Sequence, residues 1–437
     1  MSVSAREAVL LQLNAFRSAG QQSGFFVDKL NKEFGLDDKD ASLAVNIFLG
    51  CVQFRYRLDF CIAFFSDISA EKIDSCVMNI LRMGAYQLLY LDRIPSHAAV
   101  DEAVKLCRKY RPKACPFVNA VLRRISSVKD NPPEPSGDSA TKLSVFYSAE
   151  KWFVEYLIER FGSDSAEAFL QESNKPALLS IKINTLRISR DDYKAYLDER
   201  SIPYRNFAFD DILLVDSCSV KDLPGYADGF FFVQDPAAAA CAAISGIVPG
   251  MRILDACASP GGKSFSAAVR MKNEGSILAC DINSKKAAKV AEGASRLGLD
   301  IIRCSVRDAR IYDPELDSAF DAVFADVPCS GFGVLRKKPE IKYKRADEIS
   351  GLPGIQQSIL ANLCRYVRPG GTLLYSTCTV LREENELIVE RFLSEHDDFR
   401  AADFELRGIR SADGMYTFLP QADGTDGFFA AKLIRAL

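Results

Sequence analysis

Three residues of reactive type follow apolar stretches of the chain. Asp326 and Cys329 come at the end of AVFADVPC (322–329), and Cys378 ends GTLLYSTC (371–378). Apolar runs of this length predict buried strands, and the carboxyl ends of parallel strands meet at one edge of a sheet. A single cysteine is most often a core filler. Two cysteines at strand ends beside an acid instead predict a site with two thiols and a carboxylate.

A glycine-rich turn follows another predicted strand. RILDAC (252–257) runs into DACASPGGKS (255–264), whose glycines allow close backbone approach just before a helix N-terminus. The spacing is neither GxGxxG nor that of a Walker loop, so a dinucleotide is poorly supported. The next strand ends in Asp281, where an acid meets ribose hydroxyls, and Asp308 follows the third strand. These features predict a pocket for an adenosine-type cofactor, although Asp308 alone is more often a cap or turn residue.

Two thiols and an acid beside such a cofactor suit one reaction in particular. The C5 atom of a pyrimidine becomes nucleophilic after a thiolate has added to C6, and it can then take a methyl group. One thiol is enough for the attack, and a second group helps when the C5 proton and the enzyme leave. Asp326 could hold N3 or the exocyclic amine of the base. The spacing does not say which cysteine attacks.

The elements that carry these residues fall into successive regions. Residues 1–128 have apolar positions at helical spacing and predict an all-helical domain, and 129–141 (KDNPPEPSGDSAT) is a polar, proline-rich linker. Residues 142–245 predict a small α+β subdomain. From 246 to 437 strands alternate with helices, which predicts a doubly wound, Rossmann-like sheet with parallel central strands. The fold class is therefore α/β, preceded by an all-α domain.

Composition excludes several classes of protein. Of 437 residues, 48% are hydrophobic and 26% charged, as in ordinary globular proteins. No signal segment or membrane span is present, so we expect a cytoplasmic protein without membrane contact, and a monomer. The 13 cysteines form no CxxC pair and there are only two histidines. A disulfide framework, a zinc or other metal site and histidine-based acyl transfer are thus disfavoured.

Two basic stretches contrast with the net charge of −3. The first runs from Lys105 to Arg124 without an acidic residue, and the second is RKKPEIKYKR (336–345). Either stretch alone is as often a solvated face, but the two together favour a polyanionic partner. The residues predicted to contact that partner are Lys105, Arg108, Lys109, Arg111, Lys113, Arg336, Lys337 and Lys338.

Several segments resemble the Sun/NOL/NOP family of RNA cytosine-5 methyltransferases, and they cover nearly the whole chain. The pairing of a PC motif with a downstream TC motif is specific to this family. The matching segments are ILRMGAYQLLYLDRIPSHAAVDEAV (80–104), VQDPAAA (233–239), DACASPGGKS (255–264), FADVPCSGFGVLRKKPEIKY (324–343), LLYSTCTVLREENE (373–386) and DGFFAAKL (426–433).

The resemblance implies a cofactor, residue roles and a substrate. It implies that Cys378 is the nucleophile, that Cys329 assists release, and that the substrate is 16S ribosomal RNA of the small subunit or an assembly intermediate. The first third looks like the NusB antitermination-factor fold. One departure is YSAEKW (147–152), which keeps Trp152 but lacks the His-Pro of relatives. The implied S-adenosyl-L-methionine ligands are Cys257, Ala258, Ser259, Pro260, Gly261, Gly262, Lys263, Asp281, Asp308 and Asp326.

Three alternatives remain open at this point. An amino-group methyltransferase would end its fourth strand in Asn/Asp-Pro-Pro-aromatic, whereas DVPC (326–329) has cysteine in place of the aromatic residue. A non-catalytic RNA-binding or antitermination factor could retain a methyltransferase shell, but the intact glycine loop and both cysteines argue against decay. The same chemistry on transfer RNA is the alternative for the substrate.

Overall fold

The computed structural model describes residues 3–16, 22–207, 211–216, 220 and 222–437. The α-helices are α1 (Ala5–Ala15), α2 (Ser23–Lys32), α3 (Asp38–Gln53), α4 (Arg55–Phe65), α5 (Ser75–Tyr90), α6 (Ser96–Tyr110), α7 (Cys115–Ser127), α8 (Ser139–Tyr147), α9 (Lys151–Phe161), α10 (Ser163–Ser173), α11 (Arg190–Asp198), α12 (Pro236–Ile244), α13 (Gly262–Arg270), α14 (Ser284–Leu297), α15 (Ala346–Ile349), α16 (Leu352–Leu363), α17 (Glu386–Glu395) and α18 (Pro420–Asp423). Across these described stretches, no helix is both long and apolar enough to cross a membrane.

The strands follow the helical first third. They are β1 (Leu179–Ile183), β2 (Tyr204–Asn206), β3 (Ile212–Val215), β4 (Phe231–Val233), β5 (Arg252–Asp255), β6 (Ser276–Asp281), β7 (Ile302–Val306), β8 (Phe320–Asp326), β9 (Val367–Thr377), β10 (Phe399–Ala401), β11 (Glu405–Leu406), β12 (Ile409–Arg410), β13 (Met415–Phe418) and β14 (Phe428–Arg435). The chain divides into two compact units. The helical unit is Met1–Lys175 with Leu335–Glu348, and the sheet unit is Pro176–Val334 with Ile349–Leu437.

Helix α5 lies at the centre of the helical unit. Its N-terminus is capped by Asp74, whose side chain accepts hydrogen bonds from the first amides of the helix. Val77, Ile80 and Leu81 are buried at the predicted helical spacing, and α5 packs against α1, α3, α4, α6 and α7. The predicted all-helical first third is confirmed. Helix α8 begins at Ser139, inside the predicted linker, and the predicted domain boundaries stay a prediction.

A short segment from the second half of the sequence, Leu335–Glu348, belongs to the helical unit. It forms a 3-10 turn over Pro339–Tyr343, which is buried throughout. The indole of Trp152 donates a hydrogen bond to the Lys344 carbonyl (2.9 Å). The second basic stretch is therefore not one solvated face, because its central residues, Lys342 included, pack inside the helical unit.

A small antiparallel sheet begins the sheet unit. Its strand order is β2-β3-β1-β4, and helix α11 packs against it. Ile181, Tyr193, Leu197 and Phe231 form the core because alternate strand positions and one face of α11 are apolar. The predicted α+β subdomain thus has its own hydrophobic core.

The large sheet has the order β10-β14-β9-β8-β5-β6-β7, with β13 paired to β14. Strands β5 to β9 are mutually parallel, whereas β14 is antiparallel to β9 and β10 to β14. The predicted α/β class with parallel central strands is confirmed. Because β8 lies between β5 and β9, the carboxyl ends of these three strands are neighbours, and the candidate site is built there.

Candidate active site

The two cysteines predicted from the strand ends are in contact. The Sγ atoms of Cys329 and Cys378 are 3.2 Å apart, within hydrogen-bond distance for two sulfur atoms. Both residues are partly exposed. Burial and the hydrogen bond to Cys378 both raise the pKa of Cys329 well above its usual value, and the hydrogen bond is the larger cause. Cys329 is thus the thiol of the pair that keeps its proton.

The loop that carries Cys378 is held by hydrogen bonds between its polar neighbours. Thr377 donates its hydroxyl proton to Asn385 Oδ1 (2.6 Å), and Asn385 Nδ2 donates to the Thr379 carbonyl (3.0 Å). All three residues are completely buried. The two threonines that frame Cys378 therefore fix the turn after β9 and so orient the thiol.

Two glycines, Gly333 and Gly427, allow their chain segments to pass close to each other beside Cys378. The Gly333 amide donates to the Cys378 carbonyl (2.9 Å), and the Gly427 amide donates to the Gly333 carbonyl (2.9 Å). A Cβ atom on Gly333 would lie 1.8 Å from the Gly427 carbonyl oxygen, so no other residue fits at that position. This close approach explains in physical terms why glycine stands at the end of SGFG (Gly333) and in DGFF (Gly427).

Asp326 lies at the end of β8 in an ion pair. Its Oδ2 atom is 2.7 Å from Lys263 Nζ, and its Oδ1 atom accepts a hydrogen bond from the Ser376 hydroxyl (2.9 Å). Lys263 is 6% exposed, and its ammonium also lies 4.8 Å from the centre of the Phe428 ring. Burial is the largest single influence and lowers the pKa of Lys263, but attraction to Asp326, Cys241 and Asp255 together outweighs it and the net shift is upward. Sequence reasoning had assigned Lys263 only to the cofactor.

Asp255 holds the glycine loop (255–264) in place through a hydrogen bond with Ser264. This carboxylate is fully buried and accepts a hydrogen bond from the Ser264 hydroxyl in the first turn of α13 (2.6 Å). Burial raises its pKa to about 6. Gly261 has a φ of +110°, which only glycine adopts without strain, and α13 begins at Gly262. Burial also raises the pKa of the Cys257 thiol, so it is a poor nucleophile.

A cavity of about 350 Å³ joins these features within the sheet unit. The predicted residues that line it are Cys257, Ser259, Asp281, Asp308, Asp326, Cys329 and Cys378. Ala258, Pro260, Gly261, Gly262 and Lys263 belong to the same loop and helix start but do not line it. The Arg310 guanidinium donates three hydrogen bonds to the two carboxylate oxygens of Asp308, and these lower the pKa of Asp308.

Several lining residues were missed by the sequence reasoning. Ile282, 61% exposed, follows Asp281 directly and presents an apolar face to the cavity. Its position after the strand-end acid was a usable signal, and so was Phe428 in the DGFF segment. Ile355 and Ile359 lie four residues apart on α16, which is also the spacing of ordinary core residues. The charged lining residues Lys286, Arg307 and Arg310 carried no local signal.

The residues predicted to contact RNA all lie in the helical unit. Lys105, Arg108, Lys109, Arg111, Lys113, Lys337 and Lys338 are exposed, and Arg336 is half-buried. Three of them have carboxylate partners, and two of these partners are distant in sequence. Lys105 pairs with Glu102 (2.6 Å), Lys109 with Glu7 (2.5 Å) and Arg111 with Asp74 (3.1 Å). Their role in binding stays a prediction.

Family models match three consecutive parts of the chain. Residues 3–127 match the NusB family, 149–221 the ferredoxin-like domain of RsmF/B-like methyltransferases, and 246–434 the 16S rRNA methyltransferase RsmB/F model. The expected NusB-like first third and the expected methyltransferase domain are confirmed.

Relatives extend the match over the full length. The probable ribosomal RNA small subunit methyltransferase B of Bacillus subtilis is 31% identical, covering 98% of each chain. Ribosomal RNA small subunit methyltransferase B of Pseudomonas putida is 34% identical over 92% of each. The crystal structure of PH0851 has a TM-score of 0.81 at 25% identity and covers 99% of this chain and 97% of that one. With this fold, this cavity and these relatives, the chain belongs to the ribosomal RNA small subunit methyltransferase B family.

Proposed function

We propose that the protein methylates C5 of a cytosine in 16S ribosomal RNA, using S-adenosyl-L-methionine and a covalent bond between Cys378 and C6 of the base. The observation that carries the proposal is the 3.2 Å contact between the Sγ atoms of Cys329 and Cys378 in a cavity that Asp326 also lines. Two thiols and an acceptor within reach of one base are the groups that this reaction needs.

The cavity suits S-adenosyl-L-methionine by its volume and its lining. Asp281 offers a carboxylate to ribose hydroxyls, the exposed side chain of Ile282 offers an apolar face to adenine, and Cys257 and Ser259 line the loop side. The cofactor supplies an electrophilic methyl group. These residues would bind and orient it in the cavity that both thiols also line.

The attack begins with the thiol pair sharing one proton. Because Cys329 has the raised pKa, it keeps its proton and donates a hydrogen bond to the sulfur of Cys378, which acts as the thiolate once its own proton has gone to solvent. The Cys378 sulfur bonds to C6, which makes C5 nucleophilic. Asp326, paired with Lys263, accepts hydrogen bonds and cannot donate them, so it suits the exocyclic amine of cytosine rather than the carbonyl of uracil.

Release follows from the same contact. Once Cys378 is bonded to carbon, its sulfur no longer holds the proton of Cys329, and the largest cause of the raised pKa of Cys329 is removed. Cys329 can then lose that proton to solvent water and, as a thiolate, take the proton from C5. The electrons of the C5–H bond form the C5–C6 double bond, and the C6–S bond breaks to return Cys378 as a thiolate.

The ribosomal substrate rests on the relatives. Both curated relatives are ribosomal RNA small subunit methyltransferases by name. The target cytosine must be unpaired or extruded, because C5 and C6 inside a duplex cannot reach two thiols in a cavity. The basic residues of the helical unit suit a role in attracting the RNA backbone.

A denaturing gel tests the proposal. Wild type, Cys329→Ala and Cys378→Ala are each incubated with S-adenosyl-L-methionine and unmodified 16S RNA, and with transfer RNA in parallel. We expect a covalent protein–RNA band from Cys329→Ala only, with 16S RNA only. A band from Cys378→Ala would show that Cys329 attacks and Cys378 assists release. A band with transfer RNA alone would show that transfer RNA is the substrate. If no variant forms a band and wild type transfers no methyl group, the chain acts as a binding factor.

A further inference from the structure

We propose that Gln356 and Glu384 are positioning residues that hold Cys329 for the release step. The inference rests on the proposed function, in which Cys378 attacks and Cys329 assists release. Neither residue touches the reacting atoms in this scheme. They act through the backbone on the two sides of Cys329.

The contacts of Gln356 reach the residue before Cys329. Gln356 is fully buried on α16, and its Nε2 donates to the Pro328 carbonyl (3.0 Å) and to Glu384 Oε2 (2.8 Å). Both partners are acceptors, which fixes the orientation of the amide. Asparagine, whose side chain is one methylene shorter, would not reach both the Pro328 carbonyl and Glu384 Oε2 from this position.

The contacts of Glu384 reach the residue after Cys329. The same Oε2 atom accepts a hydrogen bond from the Ser330 amide (2.9 Å), and Glu384 is 1% exposed. The peptide groups on both sides of Cys329 are therefore tied to one buried amide–carboxylate pair. A hydrogen bond from an amide to a buried carboxylate is among the stronger kinds, so the pair holds Cys329 more firmly than packing alone.

Cys378 is held mainly by other bonds, and the link between the two sets is the 2.9 Å hydrogen bond between the Ser330 and Thr379 hydroxyls. Its loop depends on Thr377, Thr379 and Asn385, as described above. Loss of Gln356 should therefore displace Cys329 more than Cys378. A substitution of Glu384 would act less selectively on Cys329. Its backbone carbonyl also accepts a hydrogen bond from the Tyr375 hydroxyl on β9 (2.6 Å), so a shift of Glu384 would also disturb β9. Gln356 is the better residue to change.

The expected signature is a shift from product to adduct. A misplaced Cys329 should leave attack and methyl transfer nearly intact, because Cys378 performs them. Release should slow, and displacements of about 1 Å can slow a positioned step by about 100-fold. A purely structural loss would instead lower methyl transfer and adduct together.

The experiment compares four variants with wild type. Gln356→Leu removes both donors at similar volume, and Gln356→Asn keeps the amide but shortens its reach, which covers the case that the leucine variant does not fold. Gln357→Leu changes the next buried residue of α16 and serves as the matched control. Cys329→Ala is the reference for blocked release. Each is mixed with S-adenosyl-L-methionine and unmodified 16S RNA, and covalent band and methylated cytosine are measured in a single turnover.

We expect at least one Gln356 variant to accumulate the covalent band several-fold above wild type, with methyl transfer in the first turnover nearly unchanged and Gln357→Leu like wild type. No excess band from either Gln356 variant, or equal loss of band and methyl transfer, overturns the positioning role. An excess band from Gln357→Leu as well overturns it too, because the effect is then one of helix packing. If Cys329→Ala itself gives no band, the proposed function fails, independently of Gln356.

Discussion

Two buried lysines in different units of the molecule meet opposite environments. Lys263, in α13 of the sheet unit, pairs with the Asp326 carboxylate, and its pKa is raised. Lys342, in the segment inserted into the helical unit, donates to three neutral oxygen atoms: the carbonyls of Gln53 (2.7 Å) and Tyr147 (3.1 Å) and Asn174 Oδ1 (2.7 Å). Burial lowers the pKa of Lys342 to about 7.

The difference shows what decides the charge of a buried lysine. Both side chains lose hydration, which disfavours the ammonium. The Asp326 carboxylate compensates for the lost hydration of the Lys263 ammonium, whereas neutral dipoles compensate for only part of it at Lys342. Lys263 therefore keeps a fixed charge beside Asp326, and Lys342 is suited to hold three backbone and side-chain oxygens in place.

The largest effect should come from Lys263→Met. The variant removes the partner of Asp326 beside the reacting base, and loss of one such electrostatic group typically slows chemistry by about 100-fold or more. The measurement is the single-turnover rate of methyl transfer to 16S RNA. Lys342→Met is the matched control, since it also removes a buried ammonium, and its rate per folded molecule should be close to wild type. Equal losses in both variants would remove the distinction between the two lysines.

An effect of intermediate size should come from pH acting on Lys342. Between its folded pKa of about 7 and its ordinary value of 10.5, the unfolded chain binds more protons than the folded one, so this group makes stability rise with pH. Near pH 6, Lys342→Met should lower the free energy of unfolding only a little, because it also removes a buried charge. Near pH 9 it should lower that free energy by about 1–3 kcal/mol, because there it removes only hydrogen bonds.

Urea unfolding at the two pH values measures this difference. Trp152 is the only tryptophan of the chain and hydrogen-bonds the same inserted segment, so its fluorescence reports on this region. Lys263→Met should lack the pH-dependent difference, because a raised pKa has its effect only above 10.5. Asn174→Asp should give Lys342 a carboxylate partner, so the part of the pH dependence of unfolding free energy that Lys342 causes should disappear. Identical slopes in wild type and Lys342→Met would contradict the low pKa.

The smallest effect extends the comparison to surface cations. Arg108, Lys113 and Arg123 are exposed and form no ion pair with any described residue, whereas Lys105, Lys109 and Arg111 each have a carboxylate partner. Replacing the unpaired three by Ser should reduce the slope of log affinity against log salt by about 2, at roughly 0.7 per phosphate for single-stranded RNA. Replacing the paired three should change it less.

Binding to 16S RNA across a salt series gives both slopes. The paired cations are already partly neutralised by Glu102, Glu7 and Asp74, which is the reason for the smaller change. Equal reductions would show that these ion pairs open when RNA binds. No reduction in either variant would remove this face from the RNA-binding surface.

Much of the site was predictable because its signals are local. Apolar strands ending in Asp281, Asp326 and Cys378 and a glycine turn before a helix are patterns within a few residues. The positions of Ile355 and Ile359 were not predictable, because their spacing on α16 is the same for a cavity wall and for a core. The basic run from Lys105 predicted a polyanionic partner without its ion pairs, because two of its acidic partners, Glu7 and Asp74, are distant in sequence.

The sequence by itself determined the order of helices and strands, the family, and which residue types stand at the strand ends, because these depend on local periodicity and turn chemistry. Only the tertiary structure decided that the sulfur of Cys329 meets that of Cys378, that Lys263 pairs with Asp326, and that Lys342 lies among neutral oxygens. These outcomes depend on distances between remote residues and on the loss of water around them, and neither is written in any local pattern.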